Sequence, residues 1–188
     1  MPDPYHDSPA VVLARELLGT VLASDIGGER VSGIIVETEA YLGVDDPASH
    51  AWRGMRRKGQ HGIWAAPGTW YVYRSYGIHW CLNLTAAPEG IGAAVLIRAL
   101  EPLEGIEVMQ RRRGAVPPRR LLDGPGKLTA ALAITAQHDG VINVPAAVLR
   151  TEGRALNAEA RRTIVVTPRI GISRAVEWPL RFVLQQGQ

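Results

Sequence analysis

The sequence carries one cysteine, Cys81, and only two lysines, Lys58 and Lys127, in 188 residues. A lone cysteine excludes an intrachain disulfide framework and fits a reducing compartment. Its place in the run HWCLN predicts a small buried hydrophobe rather than a nucleophile. No stretch reaches the ~18 uninterrupted apolar residues that a membrane-spanning helix needs, so no membrane partner is expected. The opening residues MPDPYHDSP lack the basic-then-apolar order of a secretory signal. CxxC and HExxH clusters are missing, which removes the usual metal-ligand spacings. The sequence also shows neither an internal repeat nor a linker, so one domain spanning 1–188 is expected.

What is present describes a globular chain. Hydrophobic residues make up 46% and charged residues 21%, enough to build a core and too apolar for wholesale disorder. The 13 prolines and 20 glycines predict many turns rather than a long helical bundle. The net charge of +3 and pI near 9.3 fit a polyanionic partner, with arginine supplying nearly all the positive charge.

Ser8-Pro9 followed by AVVLARELLG reads as a capped first helix ending at Gly19, with Val12, Leu13 and Leu17, and Glu16 beside them, on the face toward a sheet. TVLASDI and RVSGIIVETEAY, separated by Gly27-Gly28, read as an antiparallel pair. Residues 43–68 form a long polar, glycine-rich stretch of the kind that often serves function. TWYVYRSY and HWCLNLTA flank Gly77 as a second hairpin. GAAVLIRALEP reads as a strand, LEGIEVMQRRR as a short helix, 112–123 as a basic surface loop, and GPGKLTAALAI as a helix with a glycine-led start. AAVLR, TIVVTPRIGIS and LRFVL supply further short strands. The expected fold class is α+β: a mixed, largely antiparallel curved sheet flanked by short helices, with a protruding β-hairpin.

Several residues suit chemistry, each with a plainer alternative. On a strand, Glu37, Glu39 and Tyr41 share one face, either as a catalytic rim or as a solvated polar edge. His50 follows in the loop and by itself reads as a surface residue. Tyr71, Tyr73 and Ser75 alternate with Trp70, Val72 and Arg74. The tyrosines either line a flat-walled pocket fit for a nucleobase or pack as core aromatics. Tyr76 falls at the hairpin tip, where a large side chain is placed to wedge into a base stack. Arg98 interrupts an apolar strand and demands a carboxylate partner, catalytic or structural. GPGKL lacks the full phosphate-loop pattern, yet the Gly126 amide and Lys127 fit one backbone phosphate; a plain helix-start turn is the alternative.

Taken together the segments resemble the 3-methyladenine (alkyladenine) DNA glycosylase family. The resemblance runs collinearly from ARELLG at 14–19 through ETEAYLG with Asp46-x-Ala48-x-His50, PGTWYVYRSYG, CLN, LIRALEPLEG, GPGKL and RIGI to LRFV at 180–183. It implies a general base at Glu39 and an arginine, Arg98, that helps hold the attacking water together with a backbone carbonyl, that of Ile170. It implies base stacking by Tyr41 against His50 and Tyr73, purine discrimination by Asn83, and filling of the vacated duplex by Tyr76. Family members need no cofactor and no metal. The chain departs from the pattern at IWAAPG (63–68), at His79, in the connection TAAPEGIGA (85–93) and in lacking an extended basic N-terminal tail; these positions bear on substrate range and affinity.

The resemblance implies that a damaged purine is flipped out of double-stranded DNA and its N-glycosidic bond hydrolysed, leaving an abasic site without strand cleavage. Alkylated bases such as 3-methyladenine are the expected substrates, with deaminated bases such as hypoxanthine beside them. No lysine lies at the pocket motifs for a Schiff base. The expected setting is cytoplasmic and nucleoid-associated, and the expected state a monomer. Two rival readings stay open: a non-catalytic nucleic-acid-binding module, and a hydrolase of small nucleosides, which would need neither Tyr76 nor the basic 111–120 stretch.

Overall fold

A computed structural model describes residues 5–56, 58, 61–155 and 162–186. Helix α1 (Pro9–Leu17) starts at Ser8, whose backbone is extended, with Pro9 at the first helical position. The Ser8 hydroxyl makes no cap bond; its carbonyl accepts from Val11 and Val12. The buried face is Ala10, Val11, Ala14 and Leu17, so the expected stripe is corrected by one position: Val12 is exposed. Two alanines on that face let the helix approach the sheet closely enough for the Thr38 hydroxyl to donate to the Ala14 carbonyl at 2.9 Å.

The chain continues through β1 (Thr20–Ser24), β2 (Val31–Tyr41), β3 (Trp70–Ser75), β4 (His79–Thr85), β5 (Ala94–Glu104), α2 (Ile106–Arg113), α3 (Pro125–Ala131), β6 (Leu149–Arg154), β7 (Arg162–Thr167) and β8 (Arg181–Gln186). The sheet order is β3-β4-β5-β2-β1-β6, with β8 pairing β2 and β7 pairing β8. Every ladder among the described residues is antiparallel, in line with the expected α+β class. Strand β2 is the spine. It runs beside β5 along its length, beside β1 at its start and beside β8 at Glu37–Glu39.

Directly opposed residues in a sheet share a face. The register therefore aligns Tyr71, Asn83, Leu96 and Glu39 in one row across β3, β4, β5 and β2. The other face carries the main apolar core, with Val72, Leu82, Val95, Ile97 and Ile35, against which α1 and α3 pack. A second, smaller cluster of Ala51, Ile63, Trp64, Tyr71 and Ala94 lies where residues 43–68 meet the sheet. Among its described residues that stretch includes three 3₁₀ turns, Gly43–Asp45, Trp52–Gly54 and Gly62–Trp64. Gly43 has φ +87° and a Cβ there would stand 2.5 Å from the Ile91 carbonyl, so only glycine lets the first turn dock.

Residues 112–123 also need correction. They do not form a plain surface loop, because Leu121 and Leu122 are fully buried and the Leu122 carbonyl accepts from the Leu100 amide at 3.1 Å. Arg112 and Arg113 turn back to cap carbonyls of Ala131 and Leu121. The adjacent leucines supply enough apolar area to draw the segment in despite its flanking charge.

Candidate active site

Glu39 is fully buried near the C-terminal end of β2. Its Oε1 accepts from the Ile170 amide at 2.8 Å and pairs with Arg98 Nη1 at 3.2 Å. Its Oε2 accepts from the Tyr41 hydroxyl at 2.9 Å. Burial pushes the Glu39 carboxyl above the ordinary carboxylate value, and the opposing pull of Arg98, the Ile170 amide and Tyr41 only partly offsets it. Burial and the neighbouring Glu39 charge push the Tyr41 phenol far up, so it remains a proton donor to that carboxylate.

Arg98 reaches this acid because of a local irregularity in the β2–β5 ladder. Between Glu37 and Thr38 the β5 partner steps from Ala99 to Ile97, which leaves Arg98 as the extra residue of a bulge. A bulge re-aims the inserted side chain. Here the guanidinium meets Glu37 Oε1 at 2.8 Å as well as Glu39. Burial works against the Arg98 charge, but the two glutamates outweigh it and raise its pKa. Glu37 is held in turn by Arg181 at 2.6 Å.

These groups back onto an open cleft of about 850 Å³. Its walls include Tyr41, His50, Tyr71, Tyr73, Asn83 and Arg98, and its edge includes Tyr76 and the exposed arginines Arg53, Arg74 and Arg174. Among the described residues the lining holds four arginines and no carboxylate, since Glu39 stands just behind it. Tyr71 and Tyr73 stack with centroids 5.4 Å apart, and His50 meets Tyr73 edge-on at 4.4 Å. His50 Nδ1 lies 2.8 Å from the Tyr71 hydroxyl. Asn83 donates from its side-chain amide to the Tyr71 carbonyl at 3.1 Å. Cys81 is buried, as its sequence context predicts, and sits opposite Tyr73 in the β3–β4 register. Among the described residues no group of three His, Cys, Asp or Glu side chains is placed to hold a metal ion.

The profile of the Methylpurine-DNA glycosylase (MPG) family matches residues 4–188. The chain belongs to this family. The resemblance drawn from the sequence motifs is therefore borne out. A "Putative 3-methyladenine DNA glycosylase" of Granulibacter bethesdensis is 46% identical over 97% of the chain and 82% of its own length. A protein of the same name from Agrobacterium fabrum is 45% identical over 98% and 89%. The mouse "DNA-3-methyladenine glycosylase" is 41% identical over 96% of the chain, which spans 58% of the longer mouse protein.

Within this glycosylase-family chain, the structure gathers Glu39, Tyr41, His50, Tyr73, Asn83, Arg98 and Ile170 around one cleft. Ile170 meets Glu39 through its amide, a contact separate from the water-holding role that the resemblance implies for its carbonyl. Tyr76 stands at the tip of the β3–β4 hairpin, 88% exposed, with φ 49°. Lys127 and Gly126 are apart from the cluster. Lys127 pairs with Asp123 at 2.7 Å, and Gly126 packs so closely on His79 that a Cβ would lie 2.7 Å from the histidine Cβ.

The sequence motifs gave no role to Asp46 or Arg169, and offered Tyr71 only as one of the tyrosines of a pocket face or of the core. Tyr71 shares the strand face of Tyr73, so the two-residue period already pointed to it. Asp46 and Arg169 sit inside the quoted motifs but meet only through the fold, 123 positions apart.

Proposed function

We propose that this chain is a monofunctional DNA-3-methyladenine glycosylase. It flips a damaged purine from duplex DNA into the aromatic cleft and hydrolyses its N-glycosidic bond. The observation that carries the reading is the buried Glu39 carboxylate, held by Arg98, Tyr41 and the Ile170 amide directly behind an arginine-edged cleft whose described lining carries no acid. Such an arrangement keeps one negative charge beside the place where a sugar becomes cationic.

A carboxylate offers about four acceptor positions. Among the described residues, Glu39 Oε1 has two engaged and Oε2 one. The remaining position on Oε2 suits a water, which Glu39 would orient and deprotonate as the glycosidic bond lengthens. Its charge also stabilises the oxocarbenium-like sugar. The base leaves with the bond's electron pair; an alkylated base is already cationic, and a neutral one must first gain a proton. The extruded base stacks between Tyr41 and the His50–Tyr73 wall, each stack worth about 1–3 kcal/mol. That offsets the few kcal/mol of unstacking, which is smallest at damaged pairs. Tyr76 fills the vacated space, and Arg53, Arg74 and Arg174 face the backbone phosphates.

The test is single-turnover release of 3-methyladenine, 7-methylguanine and hypoxanthine from duplex DNA, with free nucleosides alongside. Release from duplex, leaving an intact strand with an abasic site, is expected. Binding without release would make the chain a non-catalytic module, and release from nucleosides alone would make it a nucleoside hydrolase.

A further inference from the structure

Arg169 and Asp46 form a second ion pair behind the cleft, and both side chains are fully buried. The guanidinium donates as a fork, Nη1 to Oδ2 at 2.5 Å and Nη2 to Oδ1 at 2.9 Å. Nη1 also reaches the Ala40 carbonyl at 3.1 Å. The Arg169 guanidinium lies 4.7 Å over the Tyr41 ring, with Trp178 a further 5.9 Å neighbour. Asp46 in turn accepts from the Leu42 amide at 3.1 Å and the Ala48 amide at 2.9 Å, which shapes the turn leading to His50. The residue after Arg169 is Ile170, whose amide holds Glu39.

A buried ion pair is a poor device for stability alone, because desolvating two charges consumes most of their attraction. Here the cost is higher still, since Arg169 Nε is buried with no hydrogen-bond partner among the described residues. What the pair does is geometric. One guanidinium ties together three segments that the chain delivers separately: the end of β2 with Tyr41, the turn before His50, and the 168–174 loop with Ile170. It also occupies one face of the Tyr41 ring, leaving the other to stack.

We propose that Arg169 and Asp46 are a positioning pair for base excision: their fork fixes the Tyr41 ring and the Ile170 amide together, and so sets both the stacking wall and the acid Glu39. This rests on the reading that Tyr41 and Glu39 serve excision. The Arg169 charge also favours the ionised form of Glu39. The other groups around that carboxylate are Glu37 and Tyr41 on β2, Arg98 on β5, Tyr73 on β3 and Cys81 on β4, with Arg181 of β8 held on Glu37.

The experiment uses the full chain and begins with wild-type excision of 3-methyladenine from duplex DNA. No release at that stage sinks the functional reading itself, before any variant is compared. The double variant Asp46→Asn with Arg169→Met removes both charges and keeps one carbonyl acceptor, enough for one of the Leu42 and Ala48 amides. A melting temperature near that of wild type is expected, with single-turnover excision slowed about a hundredfold, the scale of a 1 Å misplacement. The acid limb of its pH profile moves to higher pH, because a cation favouring ionised Glu39 is gone. Affinity for duplex carrying a tetrahydrofuran abasic analogue, which puts no base in the cleft, stays at the wild-type level. Arg169→Lys keeps the charge and loses the fork; it should excise slowly with the acid limb unmoved, and it decides the matter if the double variant does not fold. Wild-type excision rates in whichever of these variants is folded would overturn the proposal. So would a parallel loss of melting temperature, excision and analogue binding, which is the signature of a purely structural pair.

Discussion

Glu39→Gln is the substitution on which stability and activity should move in opposite directions. Gln keeps the volume and one carbonyl acceptor, for the Ile170 amide that approaches Oε1 at 2.8 Å; its NH2 takes the Oε2 position, where it donates to the Tyr41 phenol oxygen 2.9 Å away instead of accepting from it, and the charge is gone. Removing a general base costs about 10²- to 10⁴-fold in rate, which at 1.36 kcal/mol per decade is roughly 3–5 kcal/mol of transition-state stabilisation. Stability follows the sign of the pKa shift. Burial raises the folded-state pKa of Glu39 above its ordinary value, net of Arg98, Ile170 and Tyr41. A raised acid favours folding below the unfolded pKa, and that advantage is lost as pH climbs through the folded pKa. At neutral pH wild type therefore carries the cost of a buried charge, and the Gln variant does not. Arg98 is not left unpaired, since Glu37 remains 2.8 Å away. The variant should melt at or above the wild-type temperature at pH 7–8, with the difference closing as pH falls toward 4.5, while single-turnover excision of a methylated purine drops by the stated factor. A variant that melts lower at neutral pH and excises normally would refute both halves of the reasoning.

Tyr76→Ala should leave the folding free energy within about 0.5 kcal/mol of wild type, as exposed sites do, because the side chain is 88% exposed. Tyr76→Gly should add stability by relieving φ 49°. Both should weaken flipping, read by a fluorescent base analogue beside the lesion; unchanged flipping would remove the wedge role. Replacing Arg53, Arg74 and Arg174 together should lower the slope of log binding constant against log salt by about 0.9 for each phosphate they neutralise, measured by titration of undamaged duplex; an unchanged slope would take these arginines off the DNA path. Gly126→Ala should cost about 1–3 kcal/mol by overpacking, since its Cβ would meet the His79 Cβ at 2.7 Å; a neutral melting curve would show that the β4 start yields.

Much of the fold was legible because its signals are local. Alternation marked β2 to β4, an apolar run marked β5, Gly77 marked a hairpin, and Pro9 marked the start of α1. The misreadings were local too: period alone could not say which side of α1 would dock, and charge hid the buried Leu121 and Leu122.

The site divides along another line. The chain alone dictated which residue types were available and that Glu37, Glu39 and Tyr41 would share a strand face, because a two-residue period is fixed by the backbone. With its collinear motifs it also determined the family. Folding alone buries Glu39 completely, turns Arg98 onto it through a bulge, and brings Arg169 across 123 positions to hold Asp46 and cover Tyr41. Those facts depend on register between strands and on long-range charge pairing. Neither has a period that can be read along one chain.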